Sequence, residues 1–293
     1  MTNDPHALSI RELAATELSR PIEWAAAEGW NPGLYDDGPF SAADTGGFLV
    51  GELASGEPVS VISAVRTGAD FGFIGFYITA PEYRGFGYGS QVWAAALKRL
   101  DGRTIGLDGV VAQQGNYTKS GFVLAHRNLR YGGFAPAASA ADGAAGAPAE
   151  SGVVDASSVS FSELAAYDAS HFGRLRAAFL KAWIAPPLGR ARVLLRDGRI
   201  AGFGVIRRCR IGCKIGPLFA ADERGADELF VELAGYAPGE PLFIDPPEPN
   251  GAAVALAVRH GLAPVFETAR MYRGAAPVLP LGSIYGITSF ELG

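Results

Sequence analysis

Residues 81–90 read Pro-Glu-Tyr-Arg-Gly-Phe-Gly-Tyr-Gly-Ser and stand between two apolar stretches, 71–79 and 91–100. The first stretch predicts a buried strand, and the apolar residues of the second share one face of a helix. Three glycines in five residues allow the backbone to turn its N–H groups inward, and the helix N-terminus adds the positive end of its dipole. The segment therefore predicts an anion site that suits a diphosphate.

The glycine spacing distinguishes this segment from other phosphate loops. No Gly-Lys-Ser/Thr follows, as a P-loop requires, and the Gly-x-Gly-x-x-Gly spacing of dinucleotide sites is missing. The order Arg84-x-x-Gly87-x-Gly89 instead resembles the coenzyme A pyrophosphate loop of the GCN5-related N-acetyltransferases (GNAT). Residues 117–122, Tyr-Thr-Lys-Ser-Gly-Phe, resemble the Tyr-x-Lys-x-Gly-Phe segment of the same family. A glycine-rich turn can also merely close a strand–helix corner, so the resemblance depends on both segments.

The composition favours a soluble protein of more than one domain. The chain has 293 residues, 48% of them hydrophobic, which supplies enough apolar surface for two cores. Its net charge of -5 comes without a Lys/Arg cluster, so no nucleic acid or anionic membrane is expected as a partner. No apolar run approaches the roughly 18 residues of a membrane helix. We expect a cytoplasmic protein.

The only two cysteines, Cys209 and Cys213, are four residues apart on a predicted strand. No second Cys or His pair lies near enough to complete a tetrahedral site, so no metal is expected. Residues four apart on a strand are too distant for a disulfide, at about 3.3 Å per residue. Both are predicted to be small buried residues.

A stretch rich in Ala, Gly, Pro and Ser, 135–157, predicts a linker between domains 1–134 and 158–293. Landmarks of the first half recur in the second after 137 to 142 residues, which indicates a duplication. These pairs are Gly56 and Gly198, Ile74-Gly75 and Ile215-Gly216, Asp108 and Asp245, Gly121 and Gly261, and Tyr131 and Tyr272.

The predicted order of elements is the same in both halves. Antiparallel hairpins followed by a strand–helix–strand crossover indicate an α/β fold with a mixed sheet and helices on both faces. That order is similar to the GNAT fold. We therefore expect two tandem acyl-CoA N-acyltransferase folds.

The second half departs from the family pattern at the decisive place. Residues 219–228 carry one glycine where the first half has three, and four carboxylates would face a pyrophosphate. Cofactor binding is therefore not expected there. This half resembles the degenerate C-terminal domain of bacterial tandem acetyltransferases of the YitH/HolE type.

The GNAT resemblance implies acetyl-CoA as the cofactor. In that family the loop holds the pyrophosphate, and the preceding strand pairs its free backbone groups with the pantetheine arm. An asparagine beside the tyrosine can hydrogen-bond that arm. The cofactor-binding residues expected on this basis are Tyr77, Ile78, Thr79, Arg84, Gly85, Phe86, Gly87, Tyr88, Gly89, Ser90 and Asn116.

The resemblance also assigns catalytic candidates. Tyr117 occupies the place of the family's tyrosine that protonates the leaving thiolate, and the alternative is a tyrosine that only packs. Asp108 follows an apolar stretch expected to border the cleft and is a candidate general base. An Asp before Gly at a strand end is also ordinary turn chemistry, which Asp245 repeats, and the family commonly relies on water relays instead.

The acceptor would lie at the polar and aromatic stretch after the first helix. Trp30 and Phe40 could stack on an amine while Asp36 or Asp44 attracts its charge. A loop that simply caps the core is the alternative.

We therefore expect direct transfer of an acetyl group to the primary amine of a small molecule, since the first half has no cysteine to carry an acyl group. A protein lysine or N-terminus is an alternative acceptor, and an acyl-CoA sensor without turnover is an alternative of another class. The sequence does not indicate the oligomeric state.

Overall fold

The computed structural model describes residues 7–137 and 152–293. The elements of the first half are β1 (Ser9–Glu12), α1 (Ser19–Ala27), α2 (Asp37–Ala43), β2 (Phe48–Glu52), β3 (Pro58–Thr67), β4 (Phe71–Thr79), α3 (Tyr88–Arg99), β5 (Thr104–Val110), α4 (Gln114–Lys119) and β6 (Val123–Phe134). Those of the second half are β7 (Val153–Asp155), α5 (Phe161–Phe172), α6 (Ala177–Trp183), β8 (Gly189–Arg196), β9 (Arg199–Arg208), β10 (Cys213–Ala220), α7 (Glu223–Ala234), β11 (Pro241–Ile244), α8 (Gly251–Arg259), β12 (Ala263–Arg273) and β13 (Ile284–Gly286).

The strands of both halves form one continuous mixed sheet. Its order is β1-β2-β3-β4-β5-β12-β6-β11-β10-β9-β8-β7, with β13 paired to β10 outside this path. Strand β12 of the second half thus pairs with β5 of the first, and β6 of the first half pairs with β11 of the second. Each half gives its last long strand to the sheet of the other, and β6 and β12 also pair with each other.

The two halves repeat the same order of elements, and this confirms the predicted tandem fold. The hairpin β2–β3 corresponds to β8–β9, and the β4–α3–β5 crossover corresponds to β10–α7–β11. The paired glycines Gly56 and Gly198 both have positive φ at the hairpin turns, as do Gly121 and Gly261 before β6 and β12.

A cleft opens where the parallel strands β4 and β5 diverge. They pair only from Phe71 with Thr104 to Ile74 with Leu107. Just beyond, Phe76 has φ 46, and the pairing of β4 with β3 shifts register. From Gly75 onward, the edge of β4 that faces β5 therefore has no neighbouring strand among the described residues.

The corresponding gap in the second half is filled. Strands β10 and β11 pair from Cys213 to Ile215, and β13 then takes the place beside β10, opposite Leu218 and Phe219. The gap that forms a cleft in the first half is thus occupied by a strand in the second.

The largest core cluster joins both halves. It contains Phe40, Phe48 and Phe76 of the first half and Trp183 and Phe203 of the second, all nearly inaccessible to solvent. The rings of Phe40 and Trp183 stack with their centres 6.0 Å apart. This aromatic contact ties the two halves together independently of the shared sheet.

Three local features of the fold differ from the sequence-based expectation. Helix α2 forms where the sequence predicted a loop, because Pro39 lies in the first turn, where its missing N–H costs no hydrogen bond. Cys209 and Cys213 are free and buried, but they lie on either side of the β9–β10 turn rather than on one strand. Strand β7 forms inside the stretch predicted as linker, of which residues 138–151 lie outside the described part.

No helix in the described ranges is long and apolar enough to cross a membrane.

Candidate active site

The divergence of β4 and β5 creates a cavity of about 510 Å³. This size is typical of a small-molecule site. Its wall combines the edge of β4, the loop before α3, the end of β5 and Tyr117 of the first half with residues of β12 and of the segment 288–293. The cavity therefore extends from the predicted cofactor loop to the contact between the halves.

The loop before α3 has the geometry of an anion site. Gly85 and Gly87 have φ values of 88 and 81, a left-handed conformation that favours glycine, and open space surrounds both. Gly87 is the N-cap of α3, and no side chain of the described residues caps that helix end. The N–H groups of a first helical turn point out of the helix at the positive end of its dipole, and this geometry favours a phosphate. These residues fit a coenzyme A pyrophosphate.

The equivalent helix end in the second half is closed. The Asp222 side chain is the N-cap of α7 and accepts a hydrogen bond from the Gly225 N–H at 2.7 Å. A carboxylate thus occupies the place that an anion would need.

Of the predicted cofactor residues, most line the cavity and two do not. Asn116 donates to the Gln113 side chain at 2.7 Å and is exposed, and Phe86 is also exposed, outside the lining. Arg84 donates to the Thr79 carbonyl at 2.9 Å and forms an ion pair with Glu28. The other members lie in the wall: Tyr77, Ile78, Thr79, Arg84, Gly85, Gly87, Tyr88, Gly89 and Ser90.

Tyr117 lies in the wall at the start of the diverging strands. Its ring packs on Trp93 with the ring centres 5.5 Å apart. The ring also lies against Gly109, where only glycine fits, because a Cβ at that position would lie 2.2 Å from the ring. Burial raises the pKa of Tyr117 well above that of a free phenol, and the nearby Tyr77 adds to this shift. The phenol is therefore protonated at neutral pH.

Asp108 is fully engaged in a buried ion pair. Arg270 of β12 donates to its two oxygens at 2.8 and 2.6 Å, and the Asn128 amide donates at 2.8 Å. Burial raises the pKa of Asp108, against the opposite effects of Arg270 and Asn128. The second half contains an equivalent ion pair, in which Arg130 of β6 donates to the two oxygens of Asp245 at 2.7 and 2.8 Å. Both ion pairs therefore connect an exchanged strand to the other half of the chain, and Asp245 does so beside a filled gap.

Three residues expected at the acceptor end, Phe40, Asp36 and Asp44, lie outside the cavity wall, which corrects that expectation. Phe40 is in the aromatic core, 1% exposed, because α2 turns it inward. Asp36 is buried, with one carboxylate oxygen bound by the Arg207 guanidinium and the other by the Gly33 N–H. Asp44 forms ion pairs with Arg66 and Arg99. Trp30 does line the cavity.

The acceptor end contains residues that the sequence did not suggest. Phe266 and Thr268 of β12 and Phe290 and Glu291 of the segment 288–293 line the wall near Trp30. Their distance along the chain from the loop at 84–90 left no local pattern by which to find them. They reach the cavity because β12 pairs with β5 and the segment 288–293 packs on β4.

The uncapped end of α3 supports a charge test. We expect Gly87→Asp to weaken coenzyme A binding at least about 100-fold, because like charges about 4 Å apart repel by about 4 kcal/mol at an effective dielectric constant of 20. Aspartate tolerates the left-handed conformation, and open space surrounds this position. Titration calorimetry with coenzyme A measures the change. Gly87→Asn has the same shape without the charge and should bind at least tenfold more tightly than the aspartate variant; equal affinities would contradict an anion site.

The diverging strands and the uncapped helix end define the class of protein. The chain belongs to the GNAT acyltransferase family: the profile of the GNAT acetyltransferase family matches residues 9–122, and that of a GNAT acetyltransferase domain matches residues 164–286. It is an acyltransferase with two GNAT domains in tandem.

Particular relatives agree with this assignment. Holothin acyltransferase of Pseudoalteromonas sp. (strain SANK 73390) is 34% identical over 273 residues, which are 92% of this chain and 90% of that protein. An acetyltransferase-type protein of Pyrococcus horikoshii has a similar structure, with TM-score 0.79 and 23% identity, over 100% of this chain and 98% of the other. A tandem GNAT protein from the clavulanic acid biosynthesis pathway has TM-score 0.59 and 15% identity, over 92% and 100% of the two chains.

Proposed function

We propose that this acyltransferase moves an acetyl group from acetyl-CoA to the primary amine of a small molecule by direct transfer. The observation that carries the proposal is a single cavity joining the uncapped end of α3, the buried Tyr117 and an acceptor end walled by Trp30, Phe266 and Phe290. Residues of the other half form part of the wall at that end, and a cavity walled on several sides favours a small molecule over a protein chain. The relative named for acyl transfer to holothin supports an acyl acceptor of that kind.

The first half would bind the cofactor and the second would complete the acceptor site. Backbone N–H groups of residues 84–90 would hold the pyrophosphate, and the edge of β4 at residues 77–79 would pair with the pantetheine arm. The bound cofactor supplies an activated thioester. Tyr117 holds a proton at its hydroxyl and gives it to the departing sulfur. The free cysteines, Cys209 and Cys213, are buried outside the cavity wall, so an acyl-cysteine intermediate has no nucleophile there.

Thiol release from acetyl-CoA, measured against a panel of amines, tests the proposal. The panel contains phenylethylamine, tryptamine, histamine and aniline, which fit an aromatic wall, together with a lysine-containing peptide. Turnover with at least one small amine is expected. Turnover with the peptide alone would instead indicate a protein acceptor. Coenzyme A binding without turnover on any amine would indicate a sensor.

A further inference from the structure

We propose that Glu291 is the proton acceptor for the attacking amine. This inference rests on the proposed function and deepens it. Three carboxylates line the cavity within the described residues: Glu28, Asp108 and Glu291. Glu28 is paired with Arg84 and Asp108 with Arg270. Glu291 is the one without an ion pair among the described residues, so its carboxylate is available to a ligand.

The backbone fixes Glu291 against the strand that borders the cleft. A Cβ on Gly75 would lie 2.2 Å from the Glu291 carbonyl oxygen, so only glycine at that position lets the segment 288–293 approach β4 so closely. Ser289 holds the turn, since its hydroxyl accepts from the Leu292 N–H at 3.1 Å and its carbonyl from the Gly293 N–H at 3.1 Å. Glu291 is only 3% exposed, and it borders the cavity where the free edge of β4 begins.

Buried cations surround Glu291 without binding it directly. Arg130 of β6, Arg207 of β9 and Lys214 of β10 interact with it electrostatically. The first two have carboxylate partners in Asp245 and Asp36, and the Lys214 ammonium donates to the Asn31 carbonyl at 2.8 Å. Each of these cations thus binds another group, and none of them forms an ion pair with Glu291 within the described residues.

The proposed step transfers the acetyl group to the amine nitrogen and releases one proton to solvent. An alkylammonium gives one proton to the Glu291 carboxylate, and its nitrogen lone pair then forms the bond to the thioester carbonyl carbon. The C–S bond breaks, the sulfur takes the proton of Tyr117, and the second proton that leaves the nitrogen restores the phenol. Glu291 passes its proton to solvent. The net products are an acetamide, a free thiol and one proton.

The test compares Glu291→Gln with the wild type on the best alkylamine of the panel and on aniline. We expect kcat/KM for the alkylamine to fall about 100-fold at neutral pH, the lower end for a lost general base, and the deficit to shrink as the pH approaches the pKa of the amine. Aniline needs no deprotonation before attack and should lose less than about tenfold. Glu291→Asp, which keeps the carboxylate, should retain the wild-type shape of the pH profile.

The controls separate chemistry from folding. Glu267→Gln removes a carboxylate of β12 that lies outside the cavity wall and is paired with Arg127 at 3.3 Å, and it should leave turnover unchanged. Coenzyme A affinity and melting temperature of Glu291→Gln should match the wild type. Equal losses on both amines at every pH, or wild-type activity, would overturn the role of Glu291. Failure of the wild type with every amine would overturn the proposed function itself and this inference with it.

Discussion

Tyr117→Phe is expected to lower kcat about 100- to 10,000-fold, the range for loss of a general acid, while coenzyme A affinity changes less than about twofold. The substitution removes only the hydroxyl, so the ring keeps its contact with Trp93 and its place above Gly109. Because burial keeps the phenol protonated, the wild type should keep its acid form across the neutral range. Steady-state kinetics and calorimetry measure the two effects separately.

A matched tyrosine serves as the control for Tyr117. Tyr236 lies in the second half, outside the cavity wall, where its ring faces the Arg190 guanidinium. Tyr236→Phe should change kcat less than about threefold. If Tyr117→Phe lost less than tenfold as well, Tyr117 would be a packing residue.

Asp108→Ala is expected to lower the free energy of unfolding by about 3–5 kcal/mol, because it leaves the buried Arg270 guanidinium without its counter-ion. Asp245→Ala makes the same change in the other half, where Arg130 would be left unpaired, and should cost a similar amount. Denaturant unfolding followed by fluorescence measures both. The pair is informative because the two sites share their geometry but only one borders the open cleft.

The comparison also decides between the two roles of Asp108. A structural aspartate predicts that both variants lose stability and that both lose activity in proportion to it. An Asp108→Ala variant that stays as stable as the wild type but loses turnover would instead identify a general base, and Asp245→Ala would then leave turnover unchanged.

The sequence predicted the strand, the turn and the helix at one end of the cavity, because the information for them is local. The strand 71–79, the glycines at 85, 87 and 89 and the helix that follows are consecutive, so their spacing alone indicates the turn. The tandem organisation was equally visible, since a duplication repeats its landmarks along the chain.

The acceptor end could not be predicted in the same way. Phe266 and Glu291 lie far along the chain from the loop at 84–90 and reach the cavity only through strand exchange and the packing on Gly75. Phe40 was misplaced because Gly38 and Pro39 indicate a loop, whereas burial against Trp183 stabilises a helix there. The partner of Asp108 could not be predicted either, because Arg270 is distant along the chain and meets Asp108 only through the pairing of β12 with β5.

The exchange of β6 and β12 between the two halves affects folding during synthesis. During synthesis on the ribosome, β5 has no neighbour on its open side until β12 has emerged, and an unpaired strand edge invites aggregation. The amino-terminal half, expressed alone, would lack the strand that carries Arg270 and Phe266. The cavity wall is therefore complete only when both halves of the chain are present.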